Sequence, residues 1–223
     1  ITQDNTGAEF YSNIFAINES PVEEGVIWVG SDDGLIHVSK NDGETWENVT
    51  PPTSICPKLN MINSIDTSPF KKGTAYVAAT SYKFGDYRPY LYKTENYGET
   101  WSLITKGIPK NYYTRVIRSD KTREGLLYAG TEWGIFISFD NGNSWKSFQL
   151  NLPISSIRDL HVKDNHLIAA THGRSFWMID DLTPLHQLNK NLSLQDFHLF
   201  KPNSAYRLSQ SNENKNTNYK LVG

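Results

Sequence analysis

The chain has 223 residues, 38% hydrophobic and 13% aromatic, so it is long enough to bury a substantial core. Its formal net charge of −2 argues against a nucleic-acid or membrane surface as the main partner. The single cysteine, Cys56, excludes an internal disulfide and with it the disulfide-stapled class of small secreted domains. No segment has the roughly 18 apolar residues of a membrane span, and no secretory leader opens the sequence, so an export signal would have to lie upstream.

The first predicted unit covers residues 14–50 and contains four strands. Its first two strands lie in IFAINESPVEEGVIWVGS, where a polar turn closed by Gly25 separates two apolar runs. A third strand, LIHVS, leads into the eight residues SKNDGETW, from Ser39 to Trp46, and a fourth strand begins at the tryptophan. Short strands separated by polar turns of this kind predict antiparallel hairpins.

The same pattern returns three times along the chain. The second unit, residues 62–105, and the third, residues 114–149, keep the spacing from the first strand to the turn glycine and repeat the eight-residue motif, which we call the octet. The fourth unit, residues 157–188, keeps the strands in IRDLHVKDNHLIAATHGRSFWMIDD but has no octet. A period of about 45 to 50 residues with four strands per unit predicts an all-β fold, a β-propeller of four four-stranded antiparallel blades.

The octet is predicted to be a structural staple of each blade. Its Asn or Asp is expected to hydrogen-bond the backbone two residues on, its glycine to supply the positive φ of a tight turn, and its tryptophan to fold onto the blade. The oxygen donors do not recur at the spacing of a calcium loop, so no metal and no cofactor is predicted. The residues concerned are Ser39, Asn41, Gly43, Trp46, Thr94, Asn96, Gly98, Trp101, Ser138, Asp140, Gly142 and Trp145.

These octets resemble the Asp-boxes, or BNR repeats, of sialidases, two-propeller xyloglucanases and sortilin-type receptors. The segments GVIWVGSDDGLIHVSKNDGETWENVTP and ATHGRSFWMIDDL, followed by FHLFKPNSAYRL, are similar to a family of large exported bacterial proteins labelled as BNR-repeat glycosyl hydrolases. The resemblance covers residues 1–208. It implies that the chain is the C-terminal part of a longer exported protein, secreted, periplasmic or at the cell surface, with further blades upstream.

Four blades are expected to form an open arc that belongs to a larger ring. Either upstream blades complete the ring, or two copies of the chain associate through a large apolar interface. After residue 188 the repeat ends. Residues 189–223 are predicted to be a post-propeller strand, in FHLFKPNSAYRL, followed by an Asn-rich linker.

Blade topology predicts where a ligand would bind. The loops between the second and third strands open on the rim where the first strand of each blade begins, which we call the loop rim; the octets lie on the opposite, octet rim. The loop of residues 81–90 is longer than its equivalents and rich in aromatic residues, and insertions on a rigid scaffold often carry function. The candidates on these loops are Tyr82, Tyr87, Arg88, Trp133, Glu132, Asp32, Asp33, His172 and Arg174.

The first strand of each blade is expected to line a central channel. Asn63, Arg115 and Arg158 align in units two to four near the channel mouth, where two arginines would hold a carboxylate, sulfate or phosphate. The alternative is that each arginine pairs with a neighbouring carboxylate, such as Asp159 or Asp181 for Arg158. His172 is either an acid, base or ligand group or a structural residue of a turn made by Gly173.

The sequence favours a binding function. We predict a recognition module that holds a glycan or a peptide on the loop rim. The alternatives are a glycoside hydrolase, with catalytic groups on this rim or in upstream blades, and a structural scaffold. The Phe/Tyr-Arg-Ile-Pro segment of sialidases is absent, and no carboxylate pair stands out among Asp32, Asp33 and Glu132; whether the chain is an enzyme stays open.

Overall fold

The computed structural model of the chain describes residues 12–189, 192 and 195–204. Four antiparallel sheets follow one another, and within each sheet the strands pair in chain order. The chain is therefore the all-β propeller that the sequence predicts. Its strands are β1 (Ile14–Glu19), β2 (Ile27–Ser31), β3 (Ile36–Ser39), β4 (Glu47–Asn48), β5 (Met61–Thr67), β6 (Ala75–Ser81), β7 (Asp86–Thr94), β8 (Ser102–Leu103), β9 (Thr114–Ser119), β10 (Leu127–Thr131), β11 (Gly134–Ser138), β12 (Lys146–Ser147), β13 (Ile157–Lys163), β14 (His166–Thr171) and β15 (Phe176–Ile179).

The fourth sheet departs from the prediction in one respect. Among the described residues it has three strands, β13 to β15, whereas the other three blades have four. In blades 1 to 3 the octet hairpin turns the chain back along the third strand, and blade 4 has no octet. After β15 the chain instead enters a short helix, α1 (Thr183–Gln187), with Pro184 in its first turn.

The first strands of the blades are neighbours: β1 contacts β5, β5 contacts β9, and β9 contacts β13. These strands therefore line the axis of the arc, and the later strands of each sheet lie progressively further out. The arc is open, because large apolar side chains at its two ends are exposed: Ile17 of blade 1 is 68% exposed and Phe176 of blade 4 is 79% exposed.

Three apolar clusters fill the spaces between successive blades. Trp28 and Tyr92 are buried between blades 1 and 2, Tyr76 and Phe136 between blades 2 and 3, and Tyr128 and Leu160 between blades 3 and 4. The core is thus divided into interfaces between neighbouring sheets, so each blade depends on its neighbours for burial of its faces.

The octets form tight turns, with one difference from the expected hydrogen bonds. Asn41 Oδ1 accepts from the backbone N–H of Thr45, four residues on at 3.0 Å, rather than two residues on, and the other two octets repeat this bond. Asp42 and Gly43 both have positive φ, 56° and 87°, and Glu44 N–H donates to Asn41 O, the pattern of a type I′ turn. Ser39 Oγ accepts from Gly43 N–H at 2.8 Å and completes the turn.

Two of the octet tryptophans, Trp101 and Trp145, connect neighbouring blades, a contact that the sequence did not predict. Trp101 Nε1 of blade 2 donates to Val49 O of blade 1, and Trp145 Nε1 of blade 3 donates to Ile104 O of blade 2, each at 2.7 Å. An indole N–H that is removed from solvent requires an acceptor, and here the acceptor is a main-chain carbonyl of the preceding blade.

Beyond blade 4 the chain remains attached through apolar and polar contacts, and Leu182 and Leu185 pack on the cluster between blades 3 and 4. His186 Nε2 of α1 lies 3.0 Å from Asp120 Oδ2 of blade 3, and the side chain of Gln187 exchanges two hydrogen bonds with the backbone of Lys201. Residues 195–204 contain no strand. Instead of the predicted strand, this part of the chain is held by the Gln187 amide. The remainder of the predicted tail, from residue 205 onward, lies outside the described residues.

Candidate functional site

The loop rim is located as the topology requires. In blades 1, 3 and 4 the loop between the second and third strands hydrogen-bonds the residue that enters the first strand: Asp32 N–H donates to Asn13 O, Glu132 N–H to Tyr113 O, and His172 N–H to Ser156 O. The loops that carry the candidate residues therefore surround the channel mouth. In the part of the chain that the structure describes, no helix is long and apolar enough to cross a membrane.

An aromatic cluster occupies the rim at blades 2 and 3. Tyr82 stacks on Tyr113 with ring centroids 5.2 Å apart and 19° between the planes, and Tyr87 lies 6.0 Å from Tyr113. The guanidinium of Arg115 lies 5.4 Å from the centre of the Tyr82 ring and 5.0 Å from that of Tyr113. Tyr87 is 53% exposed, so the cluster presents an aromatic surface to solvent around a held arginine.

Arg115 is paired with a carboxylate. Its Nε donates to Glu132 Oε2 at 2.7 Å, and Ser156 Oγ donates to the same oxygen at 2.7 Å. Burial by itself would raise the pKa of Glu132, but the hydrogen bonds from Ser156 and Arg115 outweigh it and hold the pKa below its ordinary value. The carboxylate alternative considered for the two arginines therefore holds for Arg115.

Arg158 has a different environment. Its Nη2 lies 3.2 Å from Nδ1 of His172, which accepts because a guanidinium only donates. No carboxylate pairs with Arg158 among residues 12–189, 192 and 195–204. Asp159 pairs with Arg118, and Asp181 accepts from Asn165 and Thr183 instead. Arg158 is exposed at the channel mouth, and its other donors have no partner among the described residues.

A cavity of about 390 Å³ lies along the channel wall. It is lined by first-strand residues of all four blades, among them Phe15, Asn63, Arg115, Arg118 and Arg158. Arg118 is fixed there: Nε donates to Leu160 O at 2.8 Å, Nη2 to Asp159 Oδ1 at 2.7 Å, and Nη1 to Ser64 Oγ. Asn63 is also engaged, because its Nδ2 donates to Thr114 O at 3.3 Å.

The blade-1 carboxylates and Arg88 have local roles. Asp32 Oδ1 accepts from Asn13 N–H at 3.0 Å, and Asp33 accepts from Ser12 and Ser31, so both shape the turn between β2 and β3. The pKa of Asp33 is lowered, because these hydrogen bonds outweigh the effect of burial. Arg88 forms a two-point pair with Asp86, at 2.9 and 2.7 Å, which lowers the pKa of that carboxyl.

The remaining candidates lie at the edge of the site. Trp133 is 47% exposed, and its ring lies 6.4 Å from that of Tyr112. Gly173 has φ of 77° and makes the predicted turn between β14 and β15, which exposes His172 and Arg174. The main-chain carbonyl of Arg174 accepts from Trp177 Nε1 at 2.7 Å, so the contact of this residue with the loop is through its backbone.

Three residues of the site were missed by the sequence reasoning: Tyr112, Tyr113 and Arg118. The two tyrosines precede β9 in KNYYTR. They lie in the connection from blade 2 to blade 3, not in a loop between the second and third strands of a blade. The connection enters the same rim, and this was the available signal. Arg118 lies in the same strand as Arg115. Whether its side chain also faces the channel depends on the pleat and the twist of β9, which the sequence does not show.

Comparison with known proteins places the chain by fold alone. No family model and no curated protein matches the sequence. Among solved structures, YCF48 bound to D1 peptide has a TM-score of 0.56 at 18% identity, over 76% of this chain and 52% of that one. A GH74 enzyme of Niastella koreensis has a TM-score of 0.56 at 14% identity, over 74% and 22% of the two chains.

A third match is the extracellular domain of a putative one-component system of B. thetaiotaomicron. Its TM-score is 0.51 at 18% identity, over 74% of this chain and 20% of that one. The chain therefore spans about half the length of the YCF48 structure and about a fifth of the larger propeller proteins. These neighbours support the β-propeller fold.

Proposed function

We propose that this propeller segment is a recognition module that binds an anionic glycan or peptide on the loop rim. The observation that carries the proposal is Arg158, an exposed cation at the channel mouth that has only His172 as a partner among the described residues. A guanidinium in this position is suited to two-point binding of a carboxylate or sulfate. An acidic sugar and a peptide with a free carboxylate both carry such a group.

The aromatic cluster at Arg115, which lines the same cavity as Arg158, supplies the second part of the proposed site. Tyr82 and Tyr113 contact Arg115, whose own charge is balanced by Glu132, and Tyr87 lies against Tyr113. Tyrosine and arginine dominate the energetically important positions of protein interfaces, and flat rings also stack on sugars. Trp133, exposed on blade 3 beside Tyr112, extends this surface. We propose that the anion binds Arg158 and that the rest of the ligand lies across the tyrosines.

The origin of the protein belongs to the same proposal. We propose that the octets are Asp-boxes and that the chain is part of an exported BNR-repeat protein. The hydrogen-bonded octet turn, present in three blades, supports the motif, and the likeness to an extracellular domain is consistent with export. Likewise, the printed names of the neighbours include a peptide-bound propeller and glycoside hydrolases, so both ligand classes belong in the test.

Hydrolysis is the second candidate, with less support. Asp32 and Asp33 are engaged in their turn and Glu132 is paired with Arg115. An acid catalyst requires a carboxyl with a raised pKa, whereas the pKa values of Asp33 and Glu132 are lowered. We therefore propose binding without turnover by this chain.

The test is binding of the chain to a glycan array and to a peptide array that includes acidic sugars and free C-terminal carboxylates. Arg158→Ala is expected to weaken binding about tenfold or more, the effect of losing a charged hydrogen-bonded pair. Arg88→Ala is the matched control: it removes the same charge from the same rim, but its guanidinium is already held by Asp86. Equal loss in both variants, or no ligand on either array for the folded chain, would contradict the proposal.

A further inference from the structure

A second cavity lies on the loop rim between blades 1 and 2, and neither Arg115 nor Arg158 lines it. Its volume is about 120 Å³, several times the space that one water molecule occupies in the liquid. The loop after β2, the segment that enters β5 and the turn after β6 enclose it, and we call it the blade 1–2 cavity. Among the residues that line it are Asp32, Leu59, Met61, Thr80, Lys83 and Phe84.

The hydroxyl of Thr80 has no hydrogen-bond partner among the described residues. Thr80 is 2% exposed and lies near the end of β6, where it pairs with Met61 of β5. A buried hydroxyl without a partner is costly, so a folded protein that keeps one calls for an explanation. Because Thr80 lines the cavity, a molecule bound there is placed to supply the missing partner.

Two opposite charges line the same cavity without forming an ion pair. Asp32 accepts from the backbone and the side chain of Asn13, at 3.0 and 3.5 Å, but no cation pairs with it among residues 12–189, 192 and 195–204. Lys83 is exposed, and its ammonium has no carboxylate partner in the same part of the chain. The cavity therefore offers one ligand both a negative and a positive group.

The walls of the blade 1–2 cavity are held together by Asn60, which is fully buried. A Cβ atom on Gly34 would lie 2.9 Å from Asn60 N, so the loop of blade 1 packs directly on the segment before β5. Asn60 Oδ1 accepts from Ser81 Oγ, and Asn60 Nδ2 donates to the Tyr92 hydroxyl, each at 2.9 Å. These contacts join the three enclosing segments, so the cavity is preorganised for a ligand.

We propose that the blade 1–2 cavity binds an α-ammonium group together with its adjacent carbonyl or carboxylate, as found in a free amino acid or in the first residue of a peptide. The ammonium pairs with Asp32, the carbonyl or carboxylate oxygen accepts from Lys83, and the Thr80 hydroxyl gains its hydrogen bond from the same ligand. Leu59 and Phe84, 42% and 57% exposed, provide an apolar wall for the ligand's side chain.

Other ligand classes fit the charges of this cavity less well. A neutral sugar balances neither Asp32 nor Lys83, and a simple anion places a second negative charge beside Asp32. The inference goes beyond the anion site at Arg158 and stands independently of it. Tyr82 lines this cavity and stacks on Tyr113, so the cavity adjoins the aromatic cluster.

The two methionines of the chain make the test specific. Met61 lines the cavity, whereas Met178 lies on blade 4 and is 60% exposed. The chain is labelled with ¹³C at the methionine methyl groups, the resonances are assigned with Met178→Leu, and both signals are followed by NMR during titration with leucinamide. We expect a saturable shift of Met61 and none of Met178. N-acetyl-leucinamide, which lacks the ammonium, is expected to bind at least about tenfold more weakly.

Leucine and the dipeptide leucyl-glycine distinguish the two sources of the bound group. Tighter binding of leucine would identify a free amino acid as the ligand, because its carboxylate lies next to the ammonium and pairs with Lys83. Equal or tighter binding of leucyl-glycine would identify a peptide N-terminus. Lys83→Met, at an exposed position, is expected to weaken the binding of leucine more than that of leucinamide, which has no carboxylate.

Asp32→Asn is expected to weaken binding of leucinamide about tenfold. Asp33→Asn is the matched control: it removes the same charge from the same turn, but Asp33 is held by Ser12 and Ser31 and does not line the cavity. Thr80→Val keeps the shape of the side chain and removes the hydroxyl without a partner. It is therefore expected to raise the thermal midpoint of the free protein and to weaken binding, a combination that a purely structural threonine would not give.

Three outcomes would overturn the proposal. A Met61 methyl signal that does not shift with leucine, leucinamide or leucyl-glycine would show that the cavity binds no α-amino group. Equal affinity for leucinamide and N-acetyl-leucinamide would show that the apolar side chain is recognised and the ammonium is not. A saturable shift of Met61 with methyl glucoside, and none with leucinamide, would make the cavity a sugar subsite.

Discussion

Gly98 of the second octet lies against Val49 of the preceding blade so closely that a Cβ atom at Gly98 would be 2.5 Å from Val49 Cβ. The φ angle of Gly98, 87°, equals that of Gly43 in the first octet, where no preceding blade is present among the described residues. The two glycines therefore have the same backbone requirement but differ in their contacts. Substitutions at the two glycines therefore separate the free-energy cost of a side chain in the turn from the cost of a side chain in the blade interface.

Gly98→Ala is expected to destabilise the protein more than Gly43→Ala. Both substitutions place a methyl group at a positive φ, which costs about 1–2 kcal/mol. Gly98→Ala also forces apart two packed blades, and overpacking of this kind costs about 1–3 kcal/mol more. Urea unfolding of the two variants measures the difference. Equal losses would show that the turn alone determines the requirement for glycine.

Arg118→Ala is expected to lower the stability of the protein, whereas Arg158→Ala is expected to lower its binding of ligand. Arg118 connects Ser64 of blade 2 with Leu160 and Asp159 of blade 4, so its loss should cost about 2 kcal/mol or more of unfolding free energy. Arg158 contacts His172 alone among the described residues, so its loss should change stability by less than about 0.5 kcal/mol while reducing ligand binding. Thermal unfolding and the array measurements together test both halves. A destabilised Arg158→Ala variant would indicate a structural role for this arginine.

Glu132→Gln is expected to lower stability at neutral pH. It is also expected to make the free energy of unfolding fall less steeply as the pH is lowered. The folded-state pKa of Glu132 lies below 4.5, its ordinary value, so the ionised carboxylate contributes stability above the unfolded-state pKa. That contribution is lost as pH falls through the folded-state pKa. The difference in unfolding free energy between wild type and Glu132→Gln should therefore shrink at acid pH. Glu44→Gln, at an exposed octet position, serves as the control for the removal of one negative charge.

Asp120→Ala is expected to be among the most destabilising single substitutions outside the apolar core. Asp120 is fully buried and accepts hydrogen bonds from Thr122 and Arg123 N–H and from the Tyr128 hydroxyl, and it contacts His186 of α1. Removing the carboxylate leaves these donors unpaired, at a cost of about 3 kcal/mol. Hydrogen exchange should also show earlier opening of α1. Asp120→Asn, which keeps one acceptor oxygen, should lose less.

Sequence reasoning predicted the blades because the octets and turn glycines act locally. Gly43, Gly98 and Gly142 each fix a hairpin through the chain within a few residues, and such signals can be read from the sequence. The loop rim followed from the order of the strands. The hydrogen bonds of Trp101 and Trp145 to the preceding blade could not be predicted, because they depend on how two sheets pack.

The same limit applies to the candidate site. Arg115 and Arg158 both line the cavity along the channel wall, but their partners depend on how the loop of each blade folds back on its first strand. Arg115 pairs with Glu132 of its own blade and Arg158 with His172, a distinction that the aligned positions do not contain. Tyr113 was missed because it lies in the connecting segment just before the third predicted unit, which begins at residue 114, although this segment enters the loop rim beside Tyr82.

The direction of the tryptophan contacts bears on how the chain folds as it is synthesised. Trp101 binds a carbonyl 52 residues earlier in the chain, and Trp145 binds one 41 residues earlier. A ribosome therefore releases each acceptor before the tryptophan that needs it, and every new sheet emerges onto a completed neighbour. Neither blade 2 nor blade 3 has to wait for a later blade to supply the acceptor of its indole N–H. Folding in the order of synthesis therefore shortens the time for which their apolar faces are exposed.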